Sequence, residues 1–415
     1  MTRLRDNGQS SPRKVMMACY GGGHVQSLIP IAQALLERQD IELEVIGFTT
    51  ARAAFERAGV PAAGYCCLLD ETDQKWIDLA RQYAPSAAHP DITDDENLAY
   101  HAIGLRDLAE DSGQTVALEQ FEQLGRKCFM PQHSFERFLK RTCPNLVIAS
   151  SSPRSELAMI KAAKRLKIES LAISDLFLQA EAEYICAPDY AENVSVLSGY
   201  VRDFLISKGC QSRIWVTGNP AFDSLAKARS EKLRRKRRSE LGLQDTDSLV
   251  LWVCQSSAVS ILGKPFANPV HILEMLQNLA RQAPGTHILI RQHPNKKILD
   301  ESQIGRALQP PSRWTIEDCL AACDCVLQET STVGLQAALL GRPVVTINAD
   351  GYPPYADLGL ATDVPTIDAA LDVLQHPTKP DLSRLGAPDI GRATDHVLKT
   401  IDGILENLPN IEAAE

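Results

Sequence analysis

Four short runs in this chain gather residue types that can bind oxygen-rich groups or move a proton. The first is Tyr20-Gly21-Gly22-Gly23-His24, which follows an apolar run at 14–19 and precedes apolar residues at helical spacing (Leu28, Ile29, Ile31, Ala32, Leu35, Leu36). Glycines between a strand and a helix let backbone N–H groups approach a ligand, and a helix N-terminus favours an anionic group. His24 adds an imidazole at that turn, and an imidazole titrates close enough to neutrality to serve as a general base. A tight turn that binds nothing, with a histidine that only caps its helix, is the plainer alternative. The second run is Val216-Thr217-Gly218-Asn219-Pro220, followed by Phe222-Asp223. It reads as a turn that ends a strand and leads into the second half of the chain. The third, Arg291-Gln292-His293-Pro294-Asn295-Lys296, puts Arg291 and His293 at the end of a strand, where both can hold phosphate oxygens. The fourth is Gln328-Glu329-Thr330-Ser331-Thr332-Val333-Gly334-Leu335-Gln336. Strand, hydroxyl-rich turn and helix in that order make a diphosphate site, because the first backbone N–H groups of the helix meet the anion. Thr330, Ser331 and Thr332 add hydroxyl donors. Gln336 lies one turn further on the same side, within reach of a ribose hydroxyl.

The elements that must carry these runs alternate strand with helix. In the first half the strands read at 14–19, 41–48, 145–149, 170–173 and 214–217, with helices at 25–36, 51–58 and 156–166 between them. The second half reads as strands at 249–254, 287–291, 325–328 and 344–347, with helices at 269–282 and 333–340. Such alternation implies right-handed crossovers and parallel sheets. A length of 415 residues suits two domains rather than one core. The chain therefore divides into a tail at 1–12, a first domain at 13–220, a second at 221–393, and a C-terminal helix and tail at 394–415. The stretch 70–135 is polar and helical in composition, and reads as an insertion over the carboxyl edge of the first sheet. Two doubly wound domains of this kind are expected to face a cleft with their strand carboxyl ends.

Taken together, the four runs resemble the GT-B glycosyltransferases. The GGGH run with its apolar helix is similar to the first loop of the peptidoglycan GlcNAc transferases and of the natural-product transferases. In the latter a histidine deprotonates the acceptor hydroxyl, which implies that role for His24. The VTGN run is similar to the interdomain crossing of Kdo transferases and UDP-GlcNAc 2-epimerases. The HP pair resembles sialyl-, Kdo- and glycerophospho-transferases and the epimerases. The fourth run, closing in Gly341-Arg342-Pro343-Val344-Val345, is typical of GT-B donor domains, although the family has Glu where this chain has Gln336. The resemblance implies further contacts: Gln255, Ser256 and Ser257 on phosphate, and Trp314 and Ile316 along the nucleobase through their backbone rather than their side chains. It also implies Gly22, Gly23 and Ser151 on the acceptor side. Asp350-Gly351-Tyr352 can reach sugar hydroxyls.

The implied function is transfer of a sugar from a nucleotide donor to a hydroxyl acceptor, in bacterial surface-polysaccharide or glycoconjugate assembly. The acceptor is a saccharide, a lipid-linked sugar or a small molecule. Retaining members carry two Glu with seven residues between them, and from Glu329 that step lands on Ala337. An inverting reaction is therefore expected. No DxD pair stands at a strand end, so neither metal nor cofactor is expected beyond the donor substrate. A UDP-GlcNAc 2-epimerase or UDP-sugar hydrolase is the second reading, weakened by the missing GTRPE pattern in the first loop. A non-catalytic sugar-nucleotide-binding protein is the third.

A net charge of −9 argues against nucleic acid as the main partner. The longest apolar runs fall short of a membrane span, and no signal peptide is visible, so a cytoplasmic enzyme is expected. Eleven cysteines in a chain of this size read as reduced thiols, and Cys319, Cys323 and Cys325 lack zinc-ligand spacing. The basic run 233–238 is either a solvated helix face or a contact with anionic lipid at the inner face of the membrane, the first being the better fit.

Overall fold

The computed structural model describes residues 11–87, 89–255, 259–260, 262–292 and 298–408. The chain forms two compact units, Met1–Ala221 with Arg392–Glu415, and Phe222–Gly391.

The first unit is built on six parallel strands: β1 (Arg13–Cys19), β2 (Ile41–Gly47), β3 (Leu146–Ser150), β4 (Glu169–Ile173), β5 (Asn193–Val196) and β6 (Arg213–Val216). Their order across the sheet is β2-β1-β3-β4-β5-β6. Parallel sheets are covered on both faces, which is why β1 reads as an unbroken apolar run. Its residues divide by parity. Met16 and Ala18 join one core with Phe48, Tyr65 and Ala158, while Val15, Met17 and Cys19 join the other with the helix Gly23–Leu36.

Two features of this unit depart from the sequence reading. The residues around 70–135 form helices Gln74–Tyr83, Asp94–Ser112, Gln114–Leu124 and Gln132–Thr142. They do not simply cover the carboxyl edge. They belong to the crossover from β2 to β3, and bury Trp76, Tyr100, Phe121, Phe135 and Phe138 on one face of the sheet. The polar composition hid this because the aromatic residues are widely spaced. Strand β5 was not legible either: Asn193 and Ser195 interrupt its hydropathy, yet both are buried. Asn193 accepts from the Trp215 indole at 3.1 Å, and the Ser195 and Thr217 hydroxyls lie 2.6 Å apart. The C-terminal helix, read from the sequence at 394–415, runs from Ala393 to Glu406 and buries Val397, Ile401 and Ile404 in the core that holds Gly23–Leu36.

The second unit carries five parallel strands: β7 (Ser248–Val253), β8 (Thr286–Arg291), β9 (Cys325–Gln328), β10 (Val344–Ile347) and β11 (Thr362–Val364), ordered β11-β10-β9-β7-β8. Helices Pro269–Gln282 and Ile367–Gln375 cover one face through Leu276 and Ala370. The basic run lies in the helix Glu231–Glu240, where Arg238 is only 2% exposed. Arg238 donates to the carbonyls of Ala322, Gln244 and Asp247, and Arg234 donates to those of Ala322 and Cys323. Arg237 pairs with Asp318 at 2.8 Å. Arg234 and Arg238 satisfy the carboxyl end of the helix Ile316–Ala322 and Arg237 pairs into its first turn, so half of the run is structural rather than a solvated or lipid-facing surface. All eleven cysteines are free. Among the described residues, no helix is long and apolar enough to cross a membrane.

Candidate functional site

Strand order decides where each sheet can hold a ligand. In an open parallel sheet a crevice forms at the carboxyl ends of two neighbouring strands whose connections leave in opposite directions. In the first unit those strands are β1 and β3, and in the second β7 and β9. The runs that follow them are 20–24 and 151–152, and 255 and 329–332. Each sheet thus brings to its switch point residues that the sequence marked from far apart in the chain.

At the first switch point the turn is sterically fixed. A Cβ on Gly21 would lie 1.8 Å from the Thr50 hydroxyl oxygen, and Gly22 has φ +73°. The helix begins at Gly23, with Gly22 and Gly23 exposed and His24 half-buried. His24 Nδ1 lies 3.8 Å from the Asp175 carboxylate, two residues beyond β4. The two are held in register by Asn219 of the VTGN run. Its amide donates to the Asp175 carbonyl at 2.7 Å, while its oxygen accepts from the Ser27 hydroxyl and the Ala221 N–H, both at 2.9 Å. Asn219 is therefore a clamp between the His24 helix and the Asp175 loop as well as a turn residue.

Behind the turn lies a second carboxyl group. Glu156 is fully buried at the start of the helix Ser155–Leu166, and accepts from Tyr20 N–H at 2.6 Å and from the Ser150 hydroxyl at 2.9 Å. Its other oxygen has no partner among the described residues. Burial pushes this carboxyl group up to about 8, so it is a neutral acid at pH 7. Ser151 is 1% exposed. Its carbonyl accepts from the Tyr184 hydroxyl at 2.6 Å, and its own hydroxyl has no partner among the described residues.

At the second switch point the helix Thr332–Leu339 starts with Ser331 as its cap. The Ser331 hydroxyl accepts from Val333 N–H at 3.2 Å and so is already in use. The Tyr355 hydroxyl donates to the Ser331 carbonyl at 3.0 Å. With its amide turned to face donors, the Gln255 oxygen accepts from the N–H groups of Thr330 at 2.9 Å and Ser331 at 3.1 Å. The strand after which Gln255 stands thus meets the hydroxyl-rich turn through the very N–H groups that the sequence pointed at an anion. Thr330 is half-buried and Thr332 exposed. The Gln336 side-chain oxygen is buried without a partner among the described residues.

Other sequence candidates have different surroundings. Arg291, at the end of β8, donates to the Trp314 carbonyl at 3.1 Å. Trp314 is 3% exposed, and its indole donates to Glu240 at 2.9 Å. The Trp314 side chain is core, and its backbone alone lies beside Arg291. Ile316 is half-buried at the start of Ile316–Ala322. Ser256, Ser257 and His293 lie outside the described residues. The sequence reading gave no role to Asp175 or Glu329. Asp175 stands just past a buried strand, and Glu329 immediately ahead of the hydroxyl-rich turn. Those positions were the available signals.

Residues 227–387, all within the second unit, match the family model described as capsule polysaccharide biosynthesis protein. No curated protein sequence matches the chain. Solved structures match over nearly its whole length. The UDP-GlcNAc 2-epimerase from Neisseria meningitidis bound to UDP-GlcNAc is 14% identical with a TM-score of 0.57, covering 94% of this chain and 100% of its own. The calicheamicin glycosyltransferase CalG4 is 12% identical with a TM-score of 0.54, covering 96% and 99%. MurG from Acinetobacter baumannii is 14% identical with a TM-score of 0.54, covering 94% and 100%. At these identities the likeness establishes the fold, which is GT-B, with two Rossmann-like parallel-sheet domains.

Proposed function

We propose that this chain is a GT-B glycosyltransferase that moves a sugar from a nucleotide-activated donor to a hydroxyl acceptor in polysaccharide synthesis. The observation that carries this reading is the His24–Asp175 pair, 3.8 Å apart at the switch point of the first sheet. In this reading the acceptor oxygen attacks the anomeric carbon while the bond from that carbon to the phosphate oxygen breaks. The acceptor proton passes to His24 Nε2, and Asp175 stabilises the imidazolium that forms. The leaving phosphate is held at the turn 330–332. Its oxygen replaces the Gln255 amide oxygen on the two N–H groups, with the helix start behind them. One displacement at the anomeric carbon inverts its configuration, and this scheme requires neither a metal nor a cofactor. The match of the second unit to capsule polysaccharide biosynthesis proteins supports the pathway class.

The test is incubation with a panel of UDP-, CMP-, CDP- and GDP-sugars, each with and without saccharide acceptors, following nucleotide release and sugar products. A transferase releases nucleotide only with an acceptor and forms a new glycoside. Isomerised sugar or release into water without an acceptor would replace this reading by the epimerase or hydrolase. Binding without turnover across the whole panel would leave a non-catalytic sugar-nucleotide-binding protein.

A further inference from the structure

The scheme above gives no part to Glu329, a carboxylate of the second unit that is only 6% exposed and stands one residue ahead of the turn 330–332. Its Oε1 accepts from Ala267 N–H at 2.8 Å, and the Asn348 side chain gives it a further hydrogen bond. Both partners tie it to one loop. Asn348 also donates to the Pro265 carbonyl at 2.7 Å, and Lys264 donates to the Ala349 carbonyl at 2.9 Å. The loop closes on itself through a bridge between Val259 and Pro265. Glu329 is therefore the inner anchor of a loop that crosses the carboxyl edges of β9 and β10.

Its electrostatic position is unusual. Its hydrogen-bond partners are neutral amide groups. Among the described residues, the titratable groups that act on it are the Lys264 ammonium, which favours the carboxylate, and the Cys254 thiol from the end of β7. Burial pushes that thiol up to about 12, so it stays neutral. Among the described residues no cation forms an ion pair with this carboxylate, and burial pushes it up to about 7. An anion arriving at Thr330 and Ser331 brings like charge close to it, through a poorly solvated path.

We propose that Glu329 is a positioning residue that couples anion binding at the turn 330–332 to the uptake of a proton on its own carboxyl group. The inference rests on the nucleotide reading of that turn. Protonation removes the repulsion with the phosphate. It also leaves the carbonyl oxygen of the acid to accept from Ala267, so the loop stays anchored while the site takes its anion. By linkage, the donor then binds more tightly on the acid side of neutrality and more weakly on the alkaline side.

The experiment is calorimetric titration of the intact protein with UDP-GlcNAc, whose diphosphate is esterified at both ends and has no group titrating near neutrality. Titrations in buffers of different ionisation enthalpy give the protons taken up. If binding raises the Glu329 pKa by about one unit, uptake is about half a proton per ligand at pH 7.5, and Kd weakens about tenfold from pH 6 to pH 9. Glu329→Gln keeps the shape, and should abolish uptake and flatten Kd across that range. Binding with no proton uptake by the wild-type protein overturns the coupling and leaves the nucleotide reading intact, as does uptake that survives in Glu329→Gln. Should Glu329→Gln fail to fold, Asn348→Gly removes the donor that favours the ionised acid, and glycine suits the φ of +56° there. Its uptake curve should move to higher pH, and an unmoved curve also overturns the coupling. If neither UDP-GlcNAc nor the UDP-, CMP-, CDP- and GDP-sugars of the wider panel bind, the nucleotide reading itself falls and the coupling falls with it.

Discussion

Replacing Asn219 by Ala tests whether the VTGN run is a clamp or merely a turn. Asn219 is 5% exposed and makes three hydrogen bonds inside the first unit, to Ser27, Ala221 and the Asp175 carbonyl, at 2.9, 2.9 and 2.7 Å. A typical hydrogen bond contributes about 1 kcal/mol net, and a buried group left without its partner costs about 1–3 kcal/mol. Ser27 is 2% exposed, so its hydroxyl cannot turn to water. The substitution should destabilise the first unit by about 3–5 kcal/mol on that basis. Native-state amide exchange measures this directly, read in Gly23–Leu36 and, as an internal control, in Pro269–Gln282 of the second unit. Only the first helix should lose protection. Asn219→Asp keeps one oxygen for Ser27 and Ala221 but sets the other against the Asp175 carbonyl, so its loss should be intermediate or greater. Turnover should fall about 10- to 100-fold in Asn219→Ala, since Asp175 is no longer held beside His24, while donor affinity is unchanged. An opening free energy in Gly23–Leu36 within about 1 kcal/mol of wild type would refute the clamp. So would equal losses in both units.

Three further outcomes follow from the same geometry. His24→Ala should lower turnover by about 100- to 10,000-fold with nucleotide affinity near wild type, because base and phosphate turn sit on different units; joint loss of binding and turnover in calorimetry and initial-rate assays would show the role misassigned. Ser331→Leu removes the cap hydroxyl and crowds the approach to the turn, so calorimetry should find nucleotide binding abolished, and normal binding would move the site elsewhere. Glu156 has a folded pKa of about 8, above its value of about 4.3 in the unfolded chain. The native state therefore holds the extra proton between those values, and stability falls as pH rises through that window. Urea melts from pH 5 to pH 8 should show this decline in the wild-type protein and much less of it in Glu156→Gln; parallel curves would mean that Glu156 ionises freely.

Sequence alone was enough for the parts of this protein governed by local periodicity. Apolar runs, glycine turns and helical spacing marked nine of the eleven strands among the described residues, because strands buried on both faces must be apolar throughout. The GGGH, VTGN and hydroxyl-rich runs were legible because glycines, Asn-Pro and clustered hydroxyls are rare in strand or helix interiors. What the sequence left open depends on lateral order. Strand order, which no local pattern encodes, decides that β3 alone separates β1 from β4 and that β7 neighbours β9, and so brings His24 towards Asp175 and Gln255 onto Thr330. The polar strand β5 escaped notice because its Asn193 and Ser195 are satisfied by partners across the sheet. Likewise, the arginines of Glu231–Glu240 had the look of a surface run until packing turned Arg238 inward. Only the folded chain could also reveal that Glu156 and Glu329 are protonated more readily than ordinary carboxylates. A side chain's charge depends on the water and partners around it, and those are set by residues distant in the chain.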